Sequence, residues 1–199
     1  MSHEQDVIHA ITLTRIGFYN MASMLDLLRR AGSATAIMEH SADIRQLVPD
    51  ASPRLVEACR NSGDAAHRAE VEYAWAMEHG VRVLCYGSSD YPQRLNDCPD
   101  APLVLYYKGN ADLNQQRVIN IVGTRRCTVY GQDIIRRFVA DLRQLCPRVL
   151  IVSGLAYGVD ICAHRQALQQ GFETVGVLAH GLDDLYPTAH RDTAVQMLH

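Results

Sequence analysis

The sequence predicts an α/β protein with a parallel sheet, preceded by a small all-α unit. Three observations support this prediction: helical spacing of apolar residues in the first part of the chain, short apolar runs that alternate with amphipathic segments in the second part, and a conspicuous loop after each run. With 199 residues, of which 48% are hydrophobic, the chain is long enough to bury a core in one domain or in two small ones.

The first part of the chain has the pattern of several short helices. From Ile8 to about Cys59, apolar residues recur at intervals of three and four positions. Glycine or proline interrupts the pattern at Gly17, at Gly32-Ser33 and between Pro49 and Pro53. A longer helix is predicted over Ala65–His79. We therefore assign residues 1–80 to a small helical domain and residues 81–199 to an α/β domain.

Strands and helices alternate in the second part. Strands are predicted at Val81–Tyr86, Leu103–Tyr107, Val118–Val122, Val149–Val152 and Glu173–Leu178. The helix before Pro147 is predicted to carry one apolar face, made of Ile134, Ile135, Phe138, Val139, Leu142 and Leu145. Crossovers of this length join parallel strands, so the last three strands predict a Rossmann-like, doubly wound sheet. Three strands make only the first half of such a domain, and we expect the chain to be a truncated, N-terminal fragment of a longer protein.

Charge is unevenly distributed along the chain. The net charge is −3, but residues 1–100 hold nine arginines against fourteen acidic residues, whereas residues 101–199 hold ten basic residues against eight acidic ones. The arginines of the second part include Arg117, Arg125, Arg126, Arg136, Arg137, Arg143 and Arg148. An anion-binding site is therefore expected in the second part rather than over the whole surface.

Several classes of protein are disfavoured by missing patterns. The six cysteines form no CxxC pair, which predicts reduced thiols and no metal or cofactor. No apolar stretch approaches the roughly 20 residues of a membrane-spanning helix, and the first residues are polar, so we expect a cytoplasmic protein. No G-x-G-x-x-G follows Val122, Ser153 stands where an NAD-binding fold needs an acidic residue, and the Walker pattern is missing. A dehydrogenase is thus disfavoured and a P-loop hydrolase excluded.

Each of the last three strands ends in a loop with glycine. Parallel strands bring these loops to one edge, where glycine lets the backbone approach an anion and the next helix presents unpaired N–H groups. The predicted phosphate-binding residues are Gly123, Thr124, Arg125, Arg126, Ser153, Gly154, Ala156 and Gly158. The alternative is that each glycine serves only its own turn; three such loops in succession favour phosphate binding.

Further residues in the same loops are predicted to support the pocket: Tyr157, Asp160, His164, Gly181 and Asp183. Asp160 and His164 lie four positions apart on one helix face, which suits either a metal or acid–base pair, or an acidic residue favoured by the helix dipole beside a packed histidine. We favour the second interpretation. No constellation of a nucleophile with its base can be assembled, so no catalytic residue is predicted.

The order and spacing of these motifs resemble the DprA/Smf family of DNA-processing proteins. The resemblance rests on Gly123-Thr124-Arg125, Tyr130-Gly131, the run Ser153–Asp160 with Ala163-His164, Gly181-Leu182-Asp183 and Tyr186-Pro187. It extends to the entrance of the α/β domain, at Tyr91–Leu95 and Leu105–Asn110. It reaches weakly into the first helices, which are similar to the family's small SAM-like or helix-hairpin-helix-like domain.

The resemblance implies a recombination mediator that binds single-stranded DNA, helps to load RecA onto it during DNA uptake and natural transformation, and is not an enzyme. By the same resemblance, Gly123, Thr124 and Arg125 contact the DNA backbone, the loop after the next strand lines the same pocket, and the full-length protein forms a homodimer. Tyr157 or Tyr130 either supplies a stacking face for a base or packs in the core.

Two positions depart from the family pattern. Ala179 replaces the first glycine of the third loop, and His190 stands where an asparagine commonly follows Tyr-Pro. Two other functions remain open from the residues alone: a nucleotide-binding Rossmann enzyme such as a nucleotide phosphoribohydrolase, and a nucleotide-sensing module. The enzyme would release a free base from a nucleoside monophosphate, whereas the sensor would bind a mononucleotide and ignore the length of a DNA strand.

Overall fold

The computed structural model describes residues 3–16 and 20–199. It divides the chain into two compact units, the first ending at Lys108 and the second beginning at Gly109. The predicted break at Gly17 lies outside the described residues. None of the helices in the described ranges is long and apolar enough to cross a membrane.

The first unit is built mainly from short helices around one apolar core. They are α1 (His3–Ile16), α2 (Met21–Ala31), α3 (Ala34–Glu39), α4 (Pro53–Arg60) and α5 (Gly63–Glu78), with 3₁₀ turns at Ser41–Gln46 and Gln93–Leu95. Side-chain caps begin three of them, because Asn20, Ser33 and Ser52 each accept a backbone N–H three residues ahead. The pattern of short, punctuated helices is therefore confirmed.

Two strands complete the first unit. β1 (Arg82–Cys85) and β2 (Val104–Tyr107) pair antiparallel. Tyr106 in β2 donates its hydroxyl proton to Glu72 of α5, and Glu72 also forms an ion pair with Arg15 of α1. This network ties the strands to the helices, which is why the compact unit ends after β2. As a boundary between domains, the predicted division between residues 80 and 81 stays a prediction.

The second unit is a parallel sheet with crossover helices. β3 (Val118–Asn120), α6 (Val129–Leu145), β4 (Leu150–Ser153), α7 (Val159–Gln169) and β5 (Thr174–Gly176) follow in chain order. The strands lie in the order β3-β4-β5, and both pairs are parallel. A 3₁₀ turn at Thr188–His190 and the short helix α8 (Arg191–Gln196) follow. The α/β, Rossmann-like prediction is confirmed, with a helical part before it.

One detail of α6 differs from the prediction. Ile135, Val139 and Leu142 are buried against the sheet, as expected, but Ile134, Phe138 and Leu145 are exposed large apolar side chains. The prediction of a single apolar face was wrong. Ile134 and Phe138 immediately precede the buried Ile135 and Val139, and a rotation of about 100° per residue places neighbouring side chains on different faces of the helix.

Candidate functional site

Two loops meet at the carboxyl ends of the parallel strands. The first loop, residues 121–128, follows β3, and the second loop, residues 154–158, follows β4. The backbone N–H of Val159, which begins α7, donates to the carbonyl oxygen of Thr124 at 3.1 Å. The strands therefore bring the loops together as the parallel topology predicts.

Glycine makes this close approach possible. Gly158 has φ +83° and ψ −119°, a region that side chains with a Cβ rarely occupy. A Cβ built at Gly158 would stand 2.1 Å from the carbonyl oxygen of Thr124, and one at Gly123 would stand 2.8 Å from a methyl group of Val159. Both glycines thus let the two loops pack on each other. From the sequence alone, this packing role could not be distinguished from close approach of the backbone to a ligand.

The first loop presents two free cations to solvent. Arg125 and Arg126 are exposed, and among the described residues neither guanidinium has a hydrogen bond or an ion pair. The loop is held beneath them, since the hydroxyl of Thr124 accepts the N–H of Arg126 at 3.1 Å and Thr128 caps α6 by accepting the N–H of Gly131 at 3.1 Å. These two hydrogen bonds hold the backbone of the first loop, while both guanidinium groups stay exposed to solvent.

Two arginines of the neighbouring helix α6 are already paired with a carboxylate. Asp133 forms ion pairs with both Arg136 and Arg137, and the contact with Arg136 lowers the pKa of the Asp133 carboxyl. The positive charge that the sequence places along α6 is therefore partly neutralised on the helix itself. Arg125 and Arg126 of the first loop differ in this respect, because none of the ion pairs among the described residues includes them.

Ser153 and Asp160 are buried and serve the backbone. Ser153 donates its hydroxyl proton to the carbonyl oxygen of Ile121 at 2.6 Å, which joins β4 to the start of the first loop. Asp160 accepts the N–H of Ala156 at 3.3 Å and so holds the second loop. The Ser153 hydroxyl and the Ala156 N–H thus both donate to groups within the protein. The ligand contacts predicted for these two residues stay predictions.

Ser153→Ala is expected to lower the free energy of unfolding by about 1–2 kcal/mol, because the half-buried carbonyl of Ile121 loses the hydroxyl that donates to it. Urea unfolding of the variant beside wild type measures this loss. Thr128→Ala, which removes a cap hydrogen bond at the exposed start of α6, is the matched hydroxyl deletion. An unchanged midpoint for Ser153→Ala would contradict the structural role.

His164 is a core residue. Its Nδ1 lies 2.7 Å from the hydroxyl of Thr174, and that hydroxyl donates to the carbonyl oxygen of Ile151, so Nδ1 carries the ring proton. Nε2 is buried with no hydrogen-bond partner among the described residues. Burial lowers the pKa of His164 to about 4, although Asp160 opposes this shift. His164 is therefore neutral at physiological pH.

Asp160 and His164 form hydrogen bonds with different parts of the chain. The described residues contain no group of three or more His, Cys, Asp or Glu side chains able to hold a metal ion. The two side chains bond instead to Ala156 and Thr174, on different segments. The interpretation as a helix-start carboxylate beside a packed histidine stays a prediction, which these two hydrogen bonds support.

His190 was noted in the sequence only as a departure from a pattern, and it has a structural role. Its Nδ1 donates to the carbonyl oxygen of Leu155 at 2.8 Å. Leu155 has a positive φ of +59°, which is unusual for a residue other than glycine. The ring of His190 also meets Tyr157 edge-on, with centroids 4.9 Å apart. His190 thereby braces the second loop, and its distance of 35 residues along the chain hid this contact from sequence reasoning.

The two tyrosines differ in their surroundings. Tyr130 in the first turn of α6 is 75% exposed, whereas Tyr157 is 46% exposed and contacts His190. Core packing, the alternative considered for both side chains, is therefore wrong for Tyr130. Both rings lie within a few residues of the paired loops along the chain.

The third loop, residues 177–187, lies beside the second at its start. Val177 donates its N–H to the carbonyl oxygen of Ser153 at 2.8 Å. Farther along, Gly181 and Asp183 are exposed, and His180 donates from Nδ1 to the carbonyl oxygen of Gly181 at 2.8 Å. Their support for a pocket stays a prediction, because within residues 3–16 and 20–199 no hydrogen bond joins Gly181 or Asp183 to the first loop.

These features define a Rossmann-like α/β protein in which two loops pack on each other at one edge of a parallel sheet, and the first of them exposes Arg125 and Arg126. A family model described as DNA recombination-mediator protein A matches residues 82–199, more than half of the chain. The chain therefore belongs to the DNA recombination-mediator protein A family, and the resemblance to DprA/Smf proteins is confirmed.

Individual relatives agree with this assignment. The chain is 41% identical over 101 residues to the DNA processing protein DprA of Streptococcus pneumoniae, covering 51% of this chain and 35% of the relative. It is 34% identical over 122 residues to that of Bacillus subtilis, covering 60% and 40%. The X-ray structure of DprA from Streptococcus pneumoniae superposes with a TM-score of 0.57 at 26% identity, covering 87% of this chain and 63% of that one. The aligned region thus spans between a third and two fifths of these two curated relatives.

Proposed function

We propose that the chain binds the backbone of single-stranded DNA at the edge formed by the first and second loops, and that it acts as a recombination mediator. The observation that carries this proposal is the pair of exposed, unpaired guanidinium groups of Arg125 and Arg126 on a loop braced by α7. Guanidinium groups match phosphate oxygens in geometry and charge. Thr124 and the backbone of Gly123, Gly154 and Gly158 complete the lining.

Two features favour a single strand over a duplex. Tyr130 is largely exposed four residues after Arg126, and Tyr157 is partly exposed on the neighbouring loop. Aromatic faces beside a basic groove stack unpaired bases, which a duplex keeps inside its own stack. The starts of α6 and α7 add partial positive charge at the same edge.

The cellular role follows from the family. A member of a recombination-mediator family that holds single-stranded DNA would hand that strand to RecA during DNA uptake and natural transformation. We propose RecA and a second copy of the full-length protein as partners, and we propose that the protein mediates recombination without catalysing a reaction. A cytoplasmic location accords with these partners.

The proposal is tested by fluorescence anisotropy of a labelled oligonucleotide, single-stranded and duplex, titrated with the full chain at two salt concentrations. We expect preferential binding of the single strand. Arg125→Ala and Arg126→Ala should each weaken binding about tenfold and reduce the slope of log K against log salt by about 0.7 in magnitude, because each removes one phosphate contact.

Arg148→Ala is the matched control. Arg148 is exposed and precedes β4, so it lies at the opposite end of the strands from the two loops. Its removal lowers the net charge equally and should change affinity by less than about twofold. Equal effects of Arg148→Ala and Arg125→Ala would overturn the assignment of the site. Binding or cleavage of a mononucleotide with no DNA binding would instead support the enzyme or the sensor.

A further inference from the structure

Cys127 and Cys162 lie on the two segments that the first and second loops bring together, and both pack against one apolar cluster. Cys127 lies in the first loop, two residues after Arg125, and Cys162 lies one helical turn after Gly158. A Cβ built at Gly158 would stand 2.5 Å from the carbonyl carbon of Arg125, so the two segments are in contact two residues before Cys127 and four residues before Cys162. Both thiols pack against the same apolar cluster, which includes Ile135 and Val139.

Neither thiol is sealed in the core. Cys127 and Cys162 are free and only half-buried, in contrast to the buried Cys59 of the first unit. Burial and then the neighbouring Cys127 thiol raise the pKa of Cys162. A raised pKa keeps the Cys162 thiol mostly protonated, which slows its direct reaction with an oxidant.

We infer that Cys127 and Cys162 form a disulfide under peroxide stress, which fastens the arginine-bearing loop to the first turn of α7. Hydrogen peroxide oxidises the Cys127 thiolate to a sulfenic acid, with hydroxide as the leaving group. The Cys162 sulfur then attacks the Cys127 sulfur, and the sulfenic oxygen leaves as water. Two thiols and one peroxide thus give one disulfide and two waters.

Trypsin makes this cross-link easy to detect. Cleavage after Arg126, Arg136, Arg148 and Arg165 gives peptides 127–136 and 149–165, each with a single cysteine. The full chain is treated with peroxide near neutral pH, remaining thiols are blocked by alkylation, and the digest is analysed without reductant. We expect the joined peptides, lighter by two hydrogen atoms than their sum, to hold roughly half or more of Cys127.

Three variants complete the test. Cys127→Ser and Cys162→Ser should each abolish the joined peptides. Cys146 packs on the same cluster, which makes it a matched control. Cys146→Ser should leave the joined peptides intact, because Cys146 lies at the other end of α6 from Cys127. Dithiothreitol should separate the joined peptides in the wild-type chain.

Other outcomes would overturn the inference. They include wild-type protein in which Cys127 is oxidised to a sulfinic acid without the joined peptides, and a cross-link that involves Cys146 instead. Because the decisive measurement uses the wild-type chain, a variant that fails to fold does not affect it. The cross-link is also independent of DNA binding, so a failed binding experiment leaves this result unchanged.

Discussion

Gly158→Ala is expected to lower the free energy of unfolding of the second unit by at least about 3 kcal/mol. Two effects add. The positive φ of +83° with a negative ψ is strained for alanine, and the new Cβ would overlap the carbonyl oxygen of Thr124, which belongs to a backbone and cannot rotate away. The first loop must therefore detach from α7. Urea unfolding, with amide exchange of residues 121–128, measures both consequences.

Gly171→Ala separates strain from overlap. Gly171 follows the other end of α7 with φ +70°, and the nearest atom to its built Cβ is Nη2 of Arg143 at 4.0 Å, on a flexible side chain. It should cost only about 1 kcal/mol and leave exchange in the first loop unchanged. If the two variants lost equal stability, the packing of Gly158 on the first loop would not be what holds the loops together.

Acidification is expected to weaken the second unit through His164. The folded-state pKa is lowered to about 4, whereas an unfolded histidine has its ordinary value of 6.5. Between these values the unfolded chain binds a proton that the folded chain does not, so stability rises with pH. Stability is therefore lost as pH falls from 6.5 toward 4, by about 3 kcal/mol in total.

Urea unfolding between pH 7 and pH 4 checks this pH dependence. His164→Asn should be less stable at pH 7, because the bond to Thr174 is altered, but should lose less stability on acidification than wild type. His67→Gln, on the exposed face of α5, should keep the wild-type slope. A wild-type slope in His164→Asn would mean that other groups cause the acid sensitivity.

Sequence patterns predicted most of the fold because each strand and helix has a local signal. The alternation of apolar runs and amphipathic helices predicted the parallel sheet, and glycine after each strand, with arginine after the first, indicated the edge where the loops meet. The extent of individual elements was less predictable. β5 covers only Thr174–Gly176 of the predicted Glu173–Leu178, and α6 begins at Val129, five residues before its apolar pattern.

The roles of individual loop residues could not be read from spacing. A buried serine such as Ser153 has the same letter as one that binds phosphate, and only the 2.6 Å contact with Ile121 distinguishes them. Glycine is needed at position 158 because the backbone of Thr124, 34 residues away along the chain, leaves no room for a Cβ. His190, which donates a hydrogen bond to Leu155, is 35 residues away from it. These constraints arise from tertiary packing and carry no local pattern.

Hydrogen–deuterium exchange with and without single-stranded DNA tests the central claim most directly, that the ligand lies on the paired loops. We expect slower exchange at the first loop, the start of α6 and the second loop, with no change near Arg148 at the opposite end of the strands. The protection should disappear in an Arg125→Ala, Arg126→Ala double variant. Protection confined to the first unit, or to the segment around Arg148, would contradict the account.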